Sequence, residues 1–361
     1  MTDFDVLIVG GGIAGASLGA ELGDASRIGI IEAESHCAVH ATGRSAAFWL
    51  ESYGGPKVAP LSAASRAFLE RPRADFSERG FLRQRGAVHL TRDELPELPD
   101  SVETQLIERD ELEKLVPGIR PEWRRALLEP GCSDIDVAAL HAAYLRKFRR
   151  NGGAVMTDAQ LLSGAHADGA WHVRLANGEE LTANVLVNAA GAWADPVAEV
   201  CGVRPLGIAP KRRTMVQLRI GRNGLRDMPL VGDAAGTFYF KGEGDRTIWL
   251  SPHDEIESDP CDAAPEELDV AIAIDRFERV VDWPIEAVER SWAGLRSFAP
   301  DRIPVYGYDV EAPGFFWCAG QGGFGIQTAP AAARLAAALL RRSDVPSDLM
   351  HIAAAAFAPS R

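Results

Sequence analysis

The first residues in the chain whose types and spacing bear chemistry are glycines. Gly10-Gly-Gly-Ile-Ala-Gly15 follows an apolar run, Asp5–Val9, and leads through Ile13 and Ala14 into an Ala- and Leu-rich stretch that reads as a helix to Leu22. In such a strand–turn–helix unit Gly10 permits the tight turn. Gly12 lets the backbone approach a pyrophosphate, and Gly15 lets the helix pack closely on the strand. The helix N-terminus then offers free N–H groups and a positive dipole end to phosphate. A second strand, Arg27–Ile31, ends at Glu32, at the distance where a carboxylate accepts hydrogen bonds from ribose hydroxyls. Glu32 would also repel a 2′-phosphate, which disfavours NADP. The choice between NAD and FAD is not made by this motif.

The bulk of the chain sets limits on what such a site can serve. Its 361 residues suggest two domains with ample core for both. Apolar content of 47% and charged content of 25% are ordinary for a globular protein. A net charge of −13, from 38 basic and 51 acidic residues, argues against nucleic acid or an anionic membrane as partner. An anionic substrate would therefore need local positive charge. Cys37, Cys132, Cys201, Cys261 and Cys318 are scattered and form no CxxC pair, so neither a disulfide framework nor a metal site is expected. Phe4–Val9 reads directly as a strand rather than a leader, and no apolar run reaches transmembrane length. The expected setting is cytoplasmic, with no integral membrane segment.

The elements needed to position the glycine turn follow along the chain. Strand, turn, helix and strand over residues 5–31 begin a parallel, doubly wound sheet. From His40 to Tyr53 the periodicity lapses. Pro60–Leu69 reads as helix, Gly86–Leu90 as strand, Asp93–Glu103 as an acidic surface linker, and Ile107–Leu115 as a charged helix. Asp134-Ile-Asp136 opens a helix to about Arg150, both aspartates standing where capping favours them. Asn177-Gly178 between Trp171–Leu175 and Glu180–Ala183 marks a hairpin. Met215–Leu218, Thr237–Lys241 and Thr247–Leu250 read as strands of a separate antiparallel sheet, and Glu266–Phe277 as a helix.

Two later glycine turns tilt the cofactor toward FAD. Asn188-Ala-Ala-Gly191 ends the apolar strand Val185–Val187, and Gly320-Gln-Gly-Gly-Phe-Gly325 follows the strand Phe315–Cys318 and precedes an Ala/Leu-rich helix to about Arg342. A flavin dinucleotide is longer than NAD, and its ring lies beyond the first nucleotide unit, so more backbone must come close. The last helix would aim its N-terminus at the ring and stabilise negative charge there.

With these motifs the chain resembles the D-amino-acid oxidase superfamily, and most of all the FAD-dependent D-arginine dehydrogenases. The likeness runs through Gly10–Gly15, Thr42-Gly-Arg-Ser-Ala-Ala47, Asp134–Asp136, Asn188–Trp193, Pro210–Arg213, Trp292–Phe298 and Gln321–Gln327. It implies noncovalent FAD in an α/β fold. That fold is a Rossmann-like domain of parallel sheet plus β-meander, made from residues 1–85, 134–205 and 296–361. An antiparallel-sheet substrate domain, 86–133 and 206–295, would roof the ring. The cofactor residues it implies begin with Gly10, Gly12, Ile13, Ala14, Gly15, Glu32 and Ala33. Thr42, Gly43, Arg44, Ser45, Ala46 and Ala47 are expected to touch the isoalloxazine. Ala190, Gly191, Trp193, Gly322, Gly323, Phe324, Gly325, Ile326 and Gln327 complete the set.

The same resemblance implies that Arg213, Arg296, Tyr53 and Tyr239 clamp a substrate α-carboxylate, with Gly323 beside them. A rigid guanidinium fork suits a carboxylate, and a charge-assisted hydrogen bond contributes about 1.5–3 kcal/mol. Arg212 is expected on the other side of its strand. Two positions depart from the arginine dehydrogenases: Phe48 stands where they carry a histidine, and Ala87 where they carry the acid that pairs with a guanidinium. His89, His40 and His141 read as structural. The expected reaction is oxidative deamination of a neutral or hydrophobic D-amino acid, by hydride transfer from Cα to flavin N5, giving a 2-oxo acid and ammonia. Oxidation of a secondary amine such as sarcosine, or of a 2-hydroxy acid, suits the same clamp. A flavin-binding module without turnover is the alternative outside enzymes. The electron acceptor is left open.

Overall fold

In the computed structural model, which describes residues 2–23, 26–92 and 102–361, the strand that precedes the glycine turn lies at the centre of a parallel sheet. The strands run in the order Ala154–Met156, Ile28–Ile31, Phe4–Val9, Glu180–Asn188, with every neighbouring pair parallel. Glu180–Asn188 is long enough to serve two partners along one edge. Its first half pairs antiparallel with Ala170–Leu175, and its last residues pair parallel with Phe315–Ala319. Leu161–Ala167 and Val305–Tyr308 add antiparallel edges. A parallel sheet is covered on both faces, so its strands read as continuous apolar runs. The period of two then divides each run between two cores. Val6 and Ile8 pack under the helices Ile13–Leu22, Val137–Arg150 and Gly325–Arg341, whereas Leu7 and Val9 pack with Trp171, Val197 and Trp317 on the opposite face.

A second sheet of ten strands is built around the pair Ala209–Ile220 and Ile285–Phe298. From that pair it continues through Thr247–Ser251, Tyr239–Gly242 and Leu230–Asp233 to Ala87–Thr91, Arg125–Glu129 and Gln105–Glu108. All contacts are antiparallel except that of Leu230–Asp233 with Ala87–Thr91. The helix Glu267–Glu278 covers one face, where Phe277, Phe240 and Trp283 pack edge to face. At one of the crossings between the two sheets the chain passes over in a single residue. Phe315–Ala319 belongs to the first, Gly320 turns at φ +72°, and Gln321–Gly322 pairs with Ile285–Phe298 in the second.

A small third sheet, Phe48–Trp49, Ser133–Ile135 and Leu82–Gln84, takes one short strand from the stretch where periodicity lapses. It corrects one expectation. Asp136 caps the helix Val137–Arg150, accepting from Ala139 N at 3.0 Å, but Asp134 lies inside the strand and makes no cap. It accepts instead from Arg83, Arg85 and Lys241 at 2.9, 2.6 and 2.9 Å, because it is the carboxylate those three cations share. A second correction concerns Ile107–Leu115. Residues 105–108 pair with Arg125–Glu129 as a strand, and only Arg109–Leu115 is helical, since cross-strand pairing overrides local helix propensity. The linker expected at Asp93–Glu103 lies largely outside the described residues.

Candidate active site

One cavity of about 480 Å³ runs between the two sheets. At one end it is lined by the glycine turn and Glu32, at the other by Arg213, Met215, Tyr239, Arg296 and Gly323. The turn is built as its sequence demands. Gly10 has φ +105°, and a Cβ there would stand 2.5 Å from the Ala189 carbonyl oxygen. Gly15 does not line the cavity; it abuts the Gly10 carbonyl on the packed side. The helix Ile13–Leu22 has no side-chain cap of its own at Gly12, and Thr42 supplies one from outside, its Oγ1 accepting from Ile13 N at 3.0 Å. The Glu32 carboxylate accepts from Gly11 N at 2.9 Å and Glu34 N at 3.1 Å, which fixes its orientation at the cavity wall. On the packed side His141 donates from Nε2 to the Gly11 carbonyl at 2.8 Å, and burial holds its imidazole below its ordinary value, in the neutral form.

Of the residues expected around a cofactor, Gly10, Gly12, Ile13, Ala14, Glu32, Ala33, Thr42, Arg44, Ser45 and Ala46 line this cavity. So do Ala190, Gly191, Trp193, Gly322, Gly323, Gly325 and Ile326. Four lie elsewhere. Gly43 is a turn position whose Cβ would overlap the Ala38 carbonyl, and Phe324 packs with Val58 and Phe298. Ala47 and Gln327 line a small neighbouring void with Phe48 and Tyr53. The Gln327 amide is engaged by protein: it accepts from Leu50 N and donates to Ser62 Oγ and the carbonyls of Leu50 and Tyr53. The Arg44 guanidinium also turns to protein, donating to the Ala263 and Ala293 carbonyls and pairing with Asp262.

The clamp residues converge because of strand register. Lys211 lies opposite Arg296 and Arg213 opposite Gly294, so Arg213 and Arg296 occupy diagonal positions on one face of the sheet. Arg212, on the other face, pairs with Glu266 and Asp269 beside the covering helix. Arg296 donates from Nη1 to the Tyr53 hydroxyl at 2.7 Å. Arg213 is only 4% exposed; its Nε donates to the Asp254 carbonyl at 2.7 Å, and its Nη2 stands 3.4 Å from Glu255. Its Nη1 is buried and has no partner among the described residues. Burial, and then the positive charge of Arg296, hold the Arg213 guanidinium below its ordinary value. An anion placed between these two groups would relieve both effects. Tyr239, at 5.6 Å from the Phe48 ring centroid, donates to Met215 Sδ at 3.2 Å. Ala87 does not reach the cavity; it is buried beneath it with Leu230, Met215 and Tyr239. A Cβ on Gly323 would fall 2.8 Å from Arg296 Nη1 and closer still to the Tyr53 hydroxyl.

Several residues that hold this end were missed in the sequence. Asp254 and Glu255 steady Arg213, and Glu129 accepts from Glu51 N, Ser52 N, Ser52 Oγ and His89 just ahead of Tyr53. For Glu129 a signal existed, an acid ending the run Ala126–Leu128; for Asp254 and Glu255 there was none, because their partners are distant in sequence. Among the lining residues described, the carboxylates are Glu32 and Glu34, both at the nucleotide end.

Comparison with known proteins agrees with this geometry. The DAO family profile, "FAD dependent oxidoreductase", matches residues 5–339. The chain is 26% identical over 282 residues to hydrogen cyanide synthase subunit HcnC of Pseudomonas aeruginosa; the match spans 76% of this chain but 64% of that relative, under two thirds of its length. It is 26% identical to glycine oxidase of Geobacillus kaustophilus over 96% of this chain and 95% of the relative. The crystal structure of that glycine oxidase superposes with a TM-score of 0.81 over 98% of each chain. Rat mitochondrial dimethylglycine dehydrogenase is 23% identical over 96% of this chain and 44% of its own length.

Proposed function

The chain belongs to the DAO family of FAD-dependent oxidoreductases, and from that premise we propose that it oxidatively deaminates a neutral or hydrophobic D-amino acid. One observation carries the reading: the buried, unpartnered Nη1 of Arg213 converges with Arg296 at the end of a cavity that begins at a dinucleotide turn. The residues that would hold FAD fit it. The helix N-terminus behind Gly12 would meet the pyrophosphate, Glu32 the ribose, and the turns at Ala190–Gly191 and Gly322–Gly323 the ring end. Bound FAD supplies the two-electron acceptor.

The chain's own residues account for binding and orientation. Arg213 and Arg296, with Tyr53, would fix the α-carboxylate and so set the direction of the Cα–H bond. Met215, Tyr239 and Ala46 offer an apolar lining for the side chain, and Phe48 stands behind them. Among the described lining residues no carboxylate faces this end, so a guanidinium or ammonium side chain would lose its hydration without a partner. The one lining histidine described, His40, is held by Glu34 at 2.8 Å at the nucleotide end, so the amine would arrive already neutral. Turnover should then rise with pH as the substrate ammonium loses its proton.

A second reading, oxidation of a secondary amine such as sarcosine, draws on relatives named for glycine and for its N,N-dimethyl derivative, the primary and tertiary amines on either side of sarcosine. An anaerobic panel of D-Leu, D-Phe, D-Arg, sarcosine and D-lactate, followed by bleaching of bound flavin, separates the readings. Fastest bleaching by D-Leu or D-Phe is expected. Preference for D-Arg overturns the neutral pocket, preference for sarcosine selects the second reading, and no bleaching by any of them means a module without turnover.

A further inference from the structure

Resting on the carboxylate clamp proposed above, we infer that Arg302, outside the cavity, tunes the clamp's affinity for anions by holding Glu255 partly away from Arg213. The Glu255 carboxylate stands between two guanidinium groups. Arg302 Nη2 lies 3.0 and 2.9 Å from its two oxygens, whereas Arg213 Nη2 lies 3.4 Å from one of them. The stronger contact is therefore on the outer side. Arg302 is half exposed, at 51% of its side chain, and its guanidinium is stacked 4.0 Å above the Phe298 ring, which is buried. That stacking fixes the cation in place at the edge of the sheet that carries Arg296.

The remaining Arg213 contacts do not depend on Glu255. Nε is held by the Asp254 backbone carbonyl, and the Asp254 side chain grips Thr214 through both its backbone N–H at 2.8 Å and its hydroxyl at 2.9 Å. Asp254 thus positions the guanidinium, while Glu255 sets how much of its charge is already neutralised. Without Arg302 the Glu255 carboxylate has one cation left to serve, and it closes on Arg213. A carboxylate ligand must then compete with it. Without Glu255 the opposite holds, and Arg213 meets the ligand with only the more distant Asp254 carboxylate, 3.8 Å from its Nε, set against its charge. Arg302 and Glu255 are positioning residues and touch neither substrate nor cofactor.

Propionate serves as probe, titrated into the flavin-loaded protein by calorimetry, with KM and kcat measured on the best substrate of the panel. Arg302→Ala is expected to weaken propionate binding and raise KM by about fivefold, with kcat within about twofold, the size of one partly screened ion pair. Arg302→Lys restores most of the affinity. Glu255→Gln tightens propionate binding, and the double variant Arg302→Ala/Glu255→Gln behaves as Glu255→Gln alone. Unchanged affinity in Arg302→Ala, or a double variant as weak as Arg302→Ala, overturns the inference. Arg213→Leu separates this from the clamp itself: if propionate binding survives that change, the clamp reading fails and the inference fails with it. If binding is lost there but Arg302→Ala has no effect, only the inference fails.

Discussion

At the scale of single residues the clamp end tolerates little added volume. Gly323 has no side chain because Tyr53 and Arg296 occupy the space where one would stand. Gly323→Ala should part the Arg296–Tyr53 hydrogen bond, costing about 1.5–3 kcal/mol of substrate binding and so raising KM roughly 10- to 100-fold. Because the same turn would meet the ring end of the cofactor, flavin content is read from the visible spectrum beside steady-state kinetics, and a raised KM at full flavin occupancy assigns the loss to the clamp. Ala87 is constrained differently. It is 1% exposed among apolar neighbours, so Ala87→Glu would bury an unpaired carboxylate and destabilise the fold by about 3 kcal/mol or more. A thermal melt showing no loss of Tm would mean that the side chain escapes to the cavity.

Among the elements, two junctions carry the most consequence. The first is the turn of strand Phe4–Val9 into helix Ile13–Leu22. Gly10→Ala meets both a positive φ and the Ala189 carbonyl, so the strand and its neighbour must separate. The expected product is protein that folds poorly and carries little flavin, measured as visible absorbance per chain. The second junction is Asp134, the carboxylate shared by Arg83, Arg85 and Lys241 where the small sheet meets the large one. Burial alone would raise its pKa, but Lys241 and Arg85 outweigh that and hold the carboxyl below its ordinary value of 3.8. A depressed carboxylate contributes stability above that value and loses it as pH falls below. Asp134→Ala leaves the buried Arg85 with backbone carbonyls alone and Lys241 with only Glu243 at 3.4 Å, and should cost about 3 kcal/mol at neutral pH, read from urea unfolding.

Over the whole molecule, acid stability depends on histidines held neutral. Burial, and then the charge of Arg213, push His253 down to about 4 from an ordinary 6.5, and burial lowers His141 in the same direction. The unfolded chain takes up these protons while the native one does not. Stability is therefore full above 6.5 and falls as pH drops toward 4. His253 sits at φ +54°, a conformation that Asn tolerates well, so His253→Asn should flatten this limb of the urea midpoint against pH without added strain. A slope identical to wild type would assign the effect elsewhere. At this scale the described residues contain no helix long and apolar enough to cross a membrane.

The nucleotide half was legible because its information is local. Gly10, Gly12 and Gly15 act on residues within one turn, and Glu32 ends the next strand, so spacing alone carried the motif. The alternation that sends Arg213 and Arg212 to opposite faces is likewise a property of any strand. What sequence could not supply was register and partner choice. Arg213 meets Arg296 only because Lys211 is aligned with that residue across two long strands. Asp134 reads as a helix cap until three cations from separate strands are seen to share it. Gln327 reads as a cofactor contact until the turn at Leu50 and Tyr53 claims its amide. Each of these depends on pairing between residues far apart in the chain, whose energy is gained only after the sheets have closed on one another.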